Sequence, residues 1–385
     1  MPNRRFLSTS ICFLISFLAA ALMTVIGPML AELAEEFHLT LSQSGLMYTA
    51  EFAGFTVLII VCGILADKFG KRIVLTGIFV SLIIALYLFS IIQSFSMALV
   101  VMFFAGGSCG PLSSISISII SDLNQNASDK YINFNGVYYG LGAMAGPVIA
   151  GICLSNNVPW RTVYLGLSVV CVVVLLLSFL VRIPRTDITS RISFKGIKKI
   201  VKDWRYMLVC LSIFFYSGAE CSGWGWMSEY MNVNLGFPVL KSSLAIGVFW
   251  LSITLGRIAT LPILKKVSSR VVVGVLAVGA ALSTFASAFV SGEAFAWIII
   301  VLMGLSYSGQ FSIMLGQGGK RHLEYSGTSI ALLSGTGGIS MAVIPALIGV
   351  VADNFGVFIS QMLPALLFVL LFFVYCFVAK PEQTN

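Results

Sequence analysis

The sequence predicts an all-α membrane protein with twelve transmembrane helices in two six-helix pseudo-repeats. Three observations carry this. Of 385 residues, 58% are hydrophobic and only 10% are charged, against about 25% charged in a soluble domain. Mean hydropathy is +0.99. Apolar stretches recur along the whole chain, each near the roughly 20 residues that one membrane crossing needs. Twelve crossings take about 240 residues on that figure, so the length fits as well. The same composition excludes a soluble enzyme and a disordered or collagen-like chain.

The first span, 7–31, follows Arg4 and Arg5 and has the look of a signal peptide. Its apolar run is too long for a cleaved signal, and no clear cleavage site follows. Spans 44–66, 72–92, 95–121, 132–155 and 160–181 complete the first half. Spans 206–234, 239–264, 271–290, 294–318, 327–351 and 357–379 form the second. Lipid offers the backbone no hydrogen-bond partner, so these spans are helices. Barrel strands would be shorter and would alternate apolar with polar residues.

The charges order these spans. With the N-terminus inside, 20 of the 23 basic residues fall in inner segments; Arg161 and Lys241 fall in outer loops and Arg257 lies within the eighth span. The positive-inside rule then places both termini in the cytoplasm, in a multi-pass protein of the cell inner (cytoplasmic) membrane. The net charge of +8 therefore speaks of topology and gives no nucleic-acid partner. The longest polar stretch, 182–205, reads RIPRTDITSRISFKGIKKIVKDWR and holds eight basic residues and two acids. It reads as a topogenic linker, with an affinity for anionic membrane lipid as a further capacity. It divides the chain into an N-terminal bundle, 1–181, and a C-terminal bundle, 206–385, the layout of paired transporter repeats.

Eight cysteines sit in or beside apolar stretches without a CxxC pair, and the two histidines, His38 and His322, fall in loops. The cysteines read as small apolar side chains. No metal site, disulfide framework or cofactor is expected.

Residues 63–72 read GILADKFGKR. Gly63 and Gly70 suit close helix packing and a tight turn. Asp67 stands where the helix leaves the membrane, and Lys68, Lys71 and Arg72 hold the turn at the cytoplasmic surface. This resembles the G-x-L-x-D-x-x-G-x-R/K signature of the major facilitator superfamily, and with twelve helices and a basic central loop the resemblance spans the chain. It implies the major facilitator fold and a gating latch formed by this turn, with Asp67 and Arg72 as its working residues. The plainer reading is a helix cap with a topogenic cluster. A degraded copy follows the eighth span: Gly256, Arg257, then LKKVSSR at 264–270, without the acid.

Charged groups at membrane depth are costly and tend to be functional. Of 15 acids, two lie deep: Glu51 and Glu220. Glu51 is 12 residues before Gly63, roughly 18 Å from the inner surface at the helical rise. Glu220 is 15 residues after Arg205, about 22 Å. A carboxyl group in a low-dielectric setting holds its proton more tightly, which suits proton coupling. The alternative is a hydrogen-bonded or snorkelling Glu.

Glu220 lies in YSGAECSGWGWMSEY, residues 216–230. Gly218, Gly223 and Gly225 weaken the helix there. Trp224 and Trp226 offer flat apolar faces with an N–H donor, a combination that suits a stacked sugar ring; an outer aromatic belt is the alternative. Asn135, Tyr139, Trp250, Tyr307 and Gln310 complete the candidate substrate contacts, with interhelical hydrogen bonding as the plainer role for the amides.

Four segments resemble the fucose-galactose-glucose proton symporter branch: INFNGVYYGLGAMAGP at 132–147, FFYSGAECSGWGWMSEY at 214–230, GVFWLSITLGR at 247–257 and GGISMAVIPALIGVVADNFG at 337–356. The resemblance implies proton-coupled sugar uptake with Glu220 as a substrate or proton residue. It departs in the first and fourth helices, where apolar ISFLAAALMTVIG and GGSCGPLSSISIS stand in place of the branch's acids. The runner-up is a proton-coupled efflux antiporter for drugs or metabolites, resembled by GLGAMAGPVIAG at 140–151. Against it, Met102 stands where those exporters carry Arg. A membrane enzyme or transport-derived sensor is a third class, without a nucleophile–base pair or phosphate loop to support it. The expectation is a monomeric secondary transporter, not an enzyme, with a small-molecule substrate, protons and membrane lipid as partners. Glu51 and Glu220 would carry the proton, and Gly63, Asp67, Gly70 and Arg72 would gate.

Overall fold

The computed structural model describes residues 2–124, 128–181, 183, 194–322 and 325–378. Among them every regular element is a helix, and twelve spans are long and apolar enough to cross a membrane. In the first half these come from α1 (Pro2–Thr24) with α2 (Ile26–Phe37), α3 (Leu41–Phe69), α4 (Lys71–Ile91), α5 (Phe95–Leu123), α6 (Ser128–Ser155) and α7 (Trp160–Ser178). A short helix, α8 (Phe194–Val201), follows; residues 182 and 184–193 of the expected linker lie outside the described residues. The second half holds α9 (Trp204–Gly225), α10 (Met227–Leu235), α11 (Val239–Ile263), α12 (Ser269–Ser287), α13 (Glu293–Tyr307) with α14 (Gln310–Arg321), α15 (Ser326–Phe355) and α16 (Val357–Cys376).

Span boundaries match the sequence reading within a few residues, with two differences. The first span continues to Phe37 through a break at Val25. At the break the Thr24 hydroxyl donates to the Ala20 carbonyl at 3.1 Å, one turn back. The seventh is two helices, broken at Trp226. A third break, at Ser308–Gly309, separates α13 from α14, with Gly309 at φ +73°. Six cysteines are buried; Cys153 is half-buried and Cys376 exposed, so Cys376 departs from the expected burial because it lies on the outer side of the last turn of α16, whose inner side is filled by Tyr375.

Each half is knitted at its ends. At the end carrying the basic loops, Arg5 donates to Asn124 at 3.1 Å, Lys71 pairs with Asp122, and Arg72 donates to the carbonyls of Phe179 and Val181. Arg321 pairs with Asp203, which also caps α9 through the N–H groups of Arg205 and Tyr206. At the far end, Trp160 donates to Glu36 at 2.7 Å and Lys241 pairs with Glu293 at 2.8 Å.

The halves meet mainly along two helix pairs, α3 with α15 and α6 with α11, and α2 also touches α9, α10 and α11. Both pairs rely on small residues that let backbones approach. A Cβ at Gly45 would stand 2.8 Å from the Ala346 Cα, and one at Gly140 would overlap the Thr254 side chain. Gly247 faces Val148, and Gly151 faces Ser243. The Gly45, Gly151 and Gly247 contacts lie toward the far end, and the Gly140–Thr254 contact lies near the middle of its helices. Toward the basic end of the same helices, Gly63, Gly136 and Gly335 have open space around them. The halves are therefore shut together at the far end and parted at the basic end.

Candidate functional site

The two membrane-depth acids take different settings. Glu51 is fully buried on α3. It sits where α5 comes closest: a Cβ on Gly106 would lie 2.9 Å from the Glu51 Cα. Neither carboxyl oxygen of Glu51 has a hydrogen-bond partner among the described residues. Glu220, 5% exposed on α9, is hydrogen-bonded. The Tyr216 hydroxyl, one helical turn earlier, lies 2.7 Å from Glu220 Oε1 and 2.9 Å from the Tyr307 carbonyl oxygen. A hydroxyl carries one proton. When Tyr216 donates it to the Tyr307 carbonyl, its oxygen is free to accept from a protonated Glu220. The three groups thus form a short buried relay.

Aromatic rings connect the two acids. Trp224 meets Tyr48 edge-on at 5.8 Å between centroids, and lies 6.4 Å from Phe52 and 6.3 Å from Trp250. Phe52 follows Glu51 directly, and Tyr48 precedes it by about one turn. The Tyr48 hydroxyl crosses from the first half to the second, donating to the Gly225 carbonyl at 2.7 Å. Cys221, beside Glu220, lies within electrostatic range of both Glu51 and Glu220. Both acids therefore belong to one region at the meeting of the halves.

The other expected substrate contacts divide into two groups. Trp250, Asn135 and Gln310 are buried, and each keeps an unpartnered polar atom among the described residues: the Trp250 ring N–H, Asn135 Oδ1 and Gln310 Oε1. Gln310 spends its amide N–H on the Ser306 carbonyl at 2.8 Å. Buried polar atoms without partners are rare and call for a ligand or water. Tyr139 is half-buried, its hydroxyl 3.4 Å from Met23 Sδ. By contrast Trp226 donates to the Pro345 carbonyl at 3.3 Å, and the Tyr307 hydroxyl bonds Thr284 at 2.8 Å. Both hydrogen bonds stay within the second half, and the Trp226 ring also lies 6.5 Å from Tyr48 of the first.

Arg257 is a site residue that the sequence reading did not nominate. It sits on α11 about one turn past Thr254, the residue that meets Gly140 where the halves begin to part. It is half-buried, and among the described residues nothing accepts a hydrogen bond from it. Tyr139, Tyr216 and Glu220 all lie within its electrostatic range. Its signal in the sequence was plain: it is the lone basic residue away from the ends of a span. Tyr216 was also missed, although its four-residue spacing to Glu220 puts both on one helix face.

The gating candidates are placed as follows. Gly70 joins α3 to α4 at φ +90°, a backbone conformation that favours glycine. Gly63 stands in open space, and Arg72 binds carbonyls at the end of α7 within its own half. Asp67 lies in the last turn of α3, and its side chain is outside the described residues.

Twelve spans in two halves, with a buried polar and aromatic region at membrane depth where the halves meet, define a polytopic membrane transporter. The family is specific: residues 12–343 match the Major Facilitator Superfamily, and the chain belongs to it. Among relatives, it is 24% identical over 383 residues to "Protein TsgA homolog" of Buchnera aphidicola subsp. Baizongia pistaciae, covering 98% of this chain and 96% of that one. It is 25% identical over 304 residues to the TsgA homolog of Citrobacter koseri, covering 78% and 76%. Among solved structures, a point mutant of the nucleoside transporter NupG superposes with a TM-score of 0.84 at 14% identity, covering 98% and 100%. A bacterial homolog of the human lysosomal transporter Spinster, inward-facing and unoccupied, gives 0.81 at 15%, covering 97% of each. A point mutant of the E. coli fucose:proton symporter FucP gives 0.67 at 18%, covering 96% and 98%.

Proposed function

We propose that the chain is a proton-coupled symporter for a small polar solute of the sugar class, working by alternating access as a monomer. The bundle 1–181 rocks against the bundle 206–385, with 182–205 as the cytoplasmic linker. Both termini lie in the cytoplasm of a bacterial cell and the protein sits in its inner membrane, as the basic loops argue. The parted end then faces inward. The higher TM-score of the inward-facing Spinster homolog, 0.81 against 0.66 for FucP in the outward conformation, supports that assignment.

The observation that carries proton coupling is the Glu220–Tyr216–Tyr307 relay. It is buried, it is complete only with a proton on Glu220, and Arg257 stands close by to receive the field of the carboxylate once that proton leaves. Glu51 is the second proton site: an isolated ionised carboxylate is expensive to bury, so a proton on Glu51 accompanies its unpartnered setting. The substrate ring stacks on Trp224 and Trp250, and its hydroxyls meet Asn135, Tyr139, Gln310 and Arg257. Trp226 and Tyr307 form the wall behind. Two structural neighbours, FucP and NupG, are named for substrates that contain a sugar ring, which supports this class.

The test is uptake into proteoliposomes under an imposed proton gradient, with labelled hexoses, nucleosides and cationic drugs offered in parallel. Gradient-driven uptake of a sugar-bearing solute, lost in Glu220→Gln and Glu51→Gln proteins, is the expected result. Gradient-driven export of the cations would establish the antiporter instead. Full activity in both Gln variants would refute the coupling role.

A further inference from the structure

The turn at the end of α3 has a second copy. Residues 63–70 read GILADKFG and residues 349–356 read GVVADNFG, identical at five of eight positions. Each copy ends one helix and starts the next through a glycine of the same conformation: Gly70 at φ +90°, ψ +147° and Gly356 at φ +86°, ψ +158°. The copies close α3 and α15, the two helices that face each other across the halves.

These helices run antiparallel. Gly45 faces Ala346, the Thr49 hydroxyl donates to the Ala342 carbonyl at 2.6 Å, and Gly338 faces Thr56. Each helix's C-terminal turn is thus carried toward its partner's N-terminus. At the far end that meeting is made. Asp353 accepts from the N–H of Leu41 at 3.1 Å and of Ser42 at 2.8 Å, and from the Ser42 hydroxyl. Thr40 accepts from the N–H of Gln43 at 3.2 Å, so between them the two residues cap the first turn of α3. A carboxylate at a helix N-terminus is favoured by hydrogen bonding and by the helix dipole. At the basic end, the same register carries position 67 to the first turn of α15, which begins at Ser326. There the helices have parted, with open space around Gly63 and Gly335.

We propose that Asp353 is a far-side latch that holds the halves shut by capping the helix of the opposite half, and that it is the reciprocal of the Asp67 turn at the basic end. The latches are exclusive, because rocking that brings α3 and α15 together at one end separates them at the other. Breaking the Asp353 cap frees the far side to open and the basic side to close. The proposal rests on the alternating-access reading of the chain but needs no substrate.

The test reads accessibility at both ends with a membrane-impermeant maleimide on purified protein in nanodiscs. Cys153 and Cys376 are first replaced by Ser. Ser243→Cys, buried where α11 meets α6, reports the far side, and Gly136→Cys, on the open stretch of α6, reports the basic side. Asp353→Ala is expected to raise far-side labelling about five-fold, the effect of losing one helix cap, and to lower basic-side labelling. Asp353→Asn, which keeps one acceptor oxygen, should move both reporters part of the way. Asp67→Ala should leave the far side at least as closed as in the parent. Gly45→Leu, which overfills the far-side contact, is the control that opens it by size. If Gly45→Leu moves the reporters and Asp353→Ala does not, the latch is refuted while rocking stands. If neither moves them, alternating access itself fails. A rise at both reporters in Asp353→Ala signals general loosening and also overturns the latch.

Discussion

The Tyr216 hydroxyl offers a direct measure of the buried relay. Tyr216→Phe removes one oxygen and leaves the ring, which packs between Phe311 and Phe368 at centroid distances of 6.2 Å in each case. Two groups lose their partner at once: Glu220 Oε1, at 2.7 Å, and the Tyr307 carbonyl, at 2.9 Å. Water does not replace it readily, since Tyr216 is fully buried and Glu220 is 5% exposed. Hydrogen bonds between membrane helices average about 0.6 kcal/mol and reach about 1.7. Tyr216 and Glu220 lie one turn apart on α9, so the ordinary net worth of an intramolecular hydrogen bond applies, and a double-mutant cycle of Tyr216→Phe with Glu220→Leu should give a coupling of about 0.5–1.5 kcal/mol. Replacing both partners by apolar groups should largely restore stability. The assay is chemical denaturation of the purified protein, read beside proton-driven uptake. Uptake should fall in Tyr216→Phe more than substrate exchange without a gradient does. A coupling near zero, or equal losses in both transport modes, would refute the relay.

Three further expectations follow from the same geometry. Gly106→Val would drive a side chain into the backbone of Glu51 and should cost about 1–3 kcal/mol by overpacking, seen as reduced yield and a lower thermal midpoint. Arg257→Gln should lower uptake at least ten-fold with Arg257→Lys recovering part of it, while the circular dichroism spectrum stays unchanged. Burial by itself would raise the Asp203 carboxyl, but the Arg321 guanidinium and the N–H groups of Tyr206 and Arg205 outweigh it and hold the group below the usual carboxylate range. Its contribution is therefore present above the unfolded-state value and lost as pH falls through the lowered one. With both side chains still partly open to water, the loss should be about 1 kcal/mol or less; acid titration of stability in Asp203→Asn protein should lack this component.

The fold was legible because lipid acts on the whole length of each span. Composition and the positive-inside pattern register that average, and neither depends on which residues touch. The helix breaks were legible only in part. Gly218, Gly223 and Gly225 suggested a bend in the seventh span, yet the break falls at Trp226. The glycines are there for approach: Gly218 faces Ser340 and Ile344, Gly223 faces Tyr307, and Gly225 faces Tyr48. Glu51 and Glu220 could be found because a charge at membrane depth is conspicuous alone. Tyr48 could not, because a tyrosine in an apolar run is ordinary until its partner is known, and that partner is a backbone carbonyl 177 residues away; Tyr216 showed only its four-residue spacing to Glu220, and its second partner is a carbonyl 91 residues away. Arg257 carried the same signal as the acids but was absorbed into the topology count.

The way the halves are joined bears on how readily they can rock. Between membrane helices no hydrophobic force favours association over lipid contact, so packing and hydrogen bonds decide it. The closed end is held by small-residue contacts and by hydrogen bonds from Tyr48 to Gly225, from Thr49 to Ala342, and from Leu41 and Ser42 to Asp353. At the membrane average these bonds sum to about 3 kcal/mol. Reversing a two-state balance from about 99:1 to 1:99 takes about 5.5 kcal/mol. The interface is therefore of the size that a proton on Glu220, a bound solute or a reciprocal cap at the other end can overcome. A far end sealed by a large apolar core or by buried ion pairs would be beyond their reach.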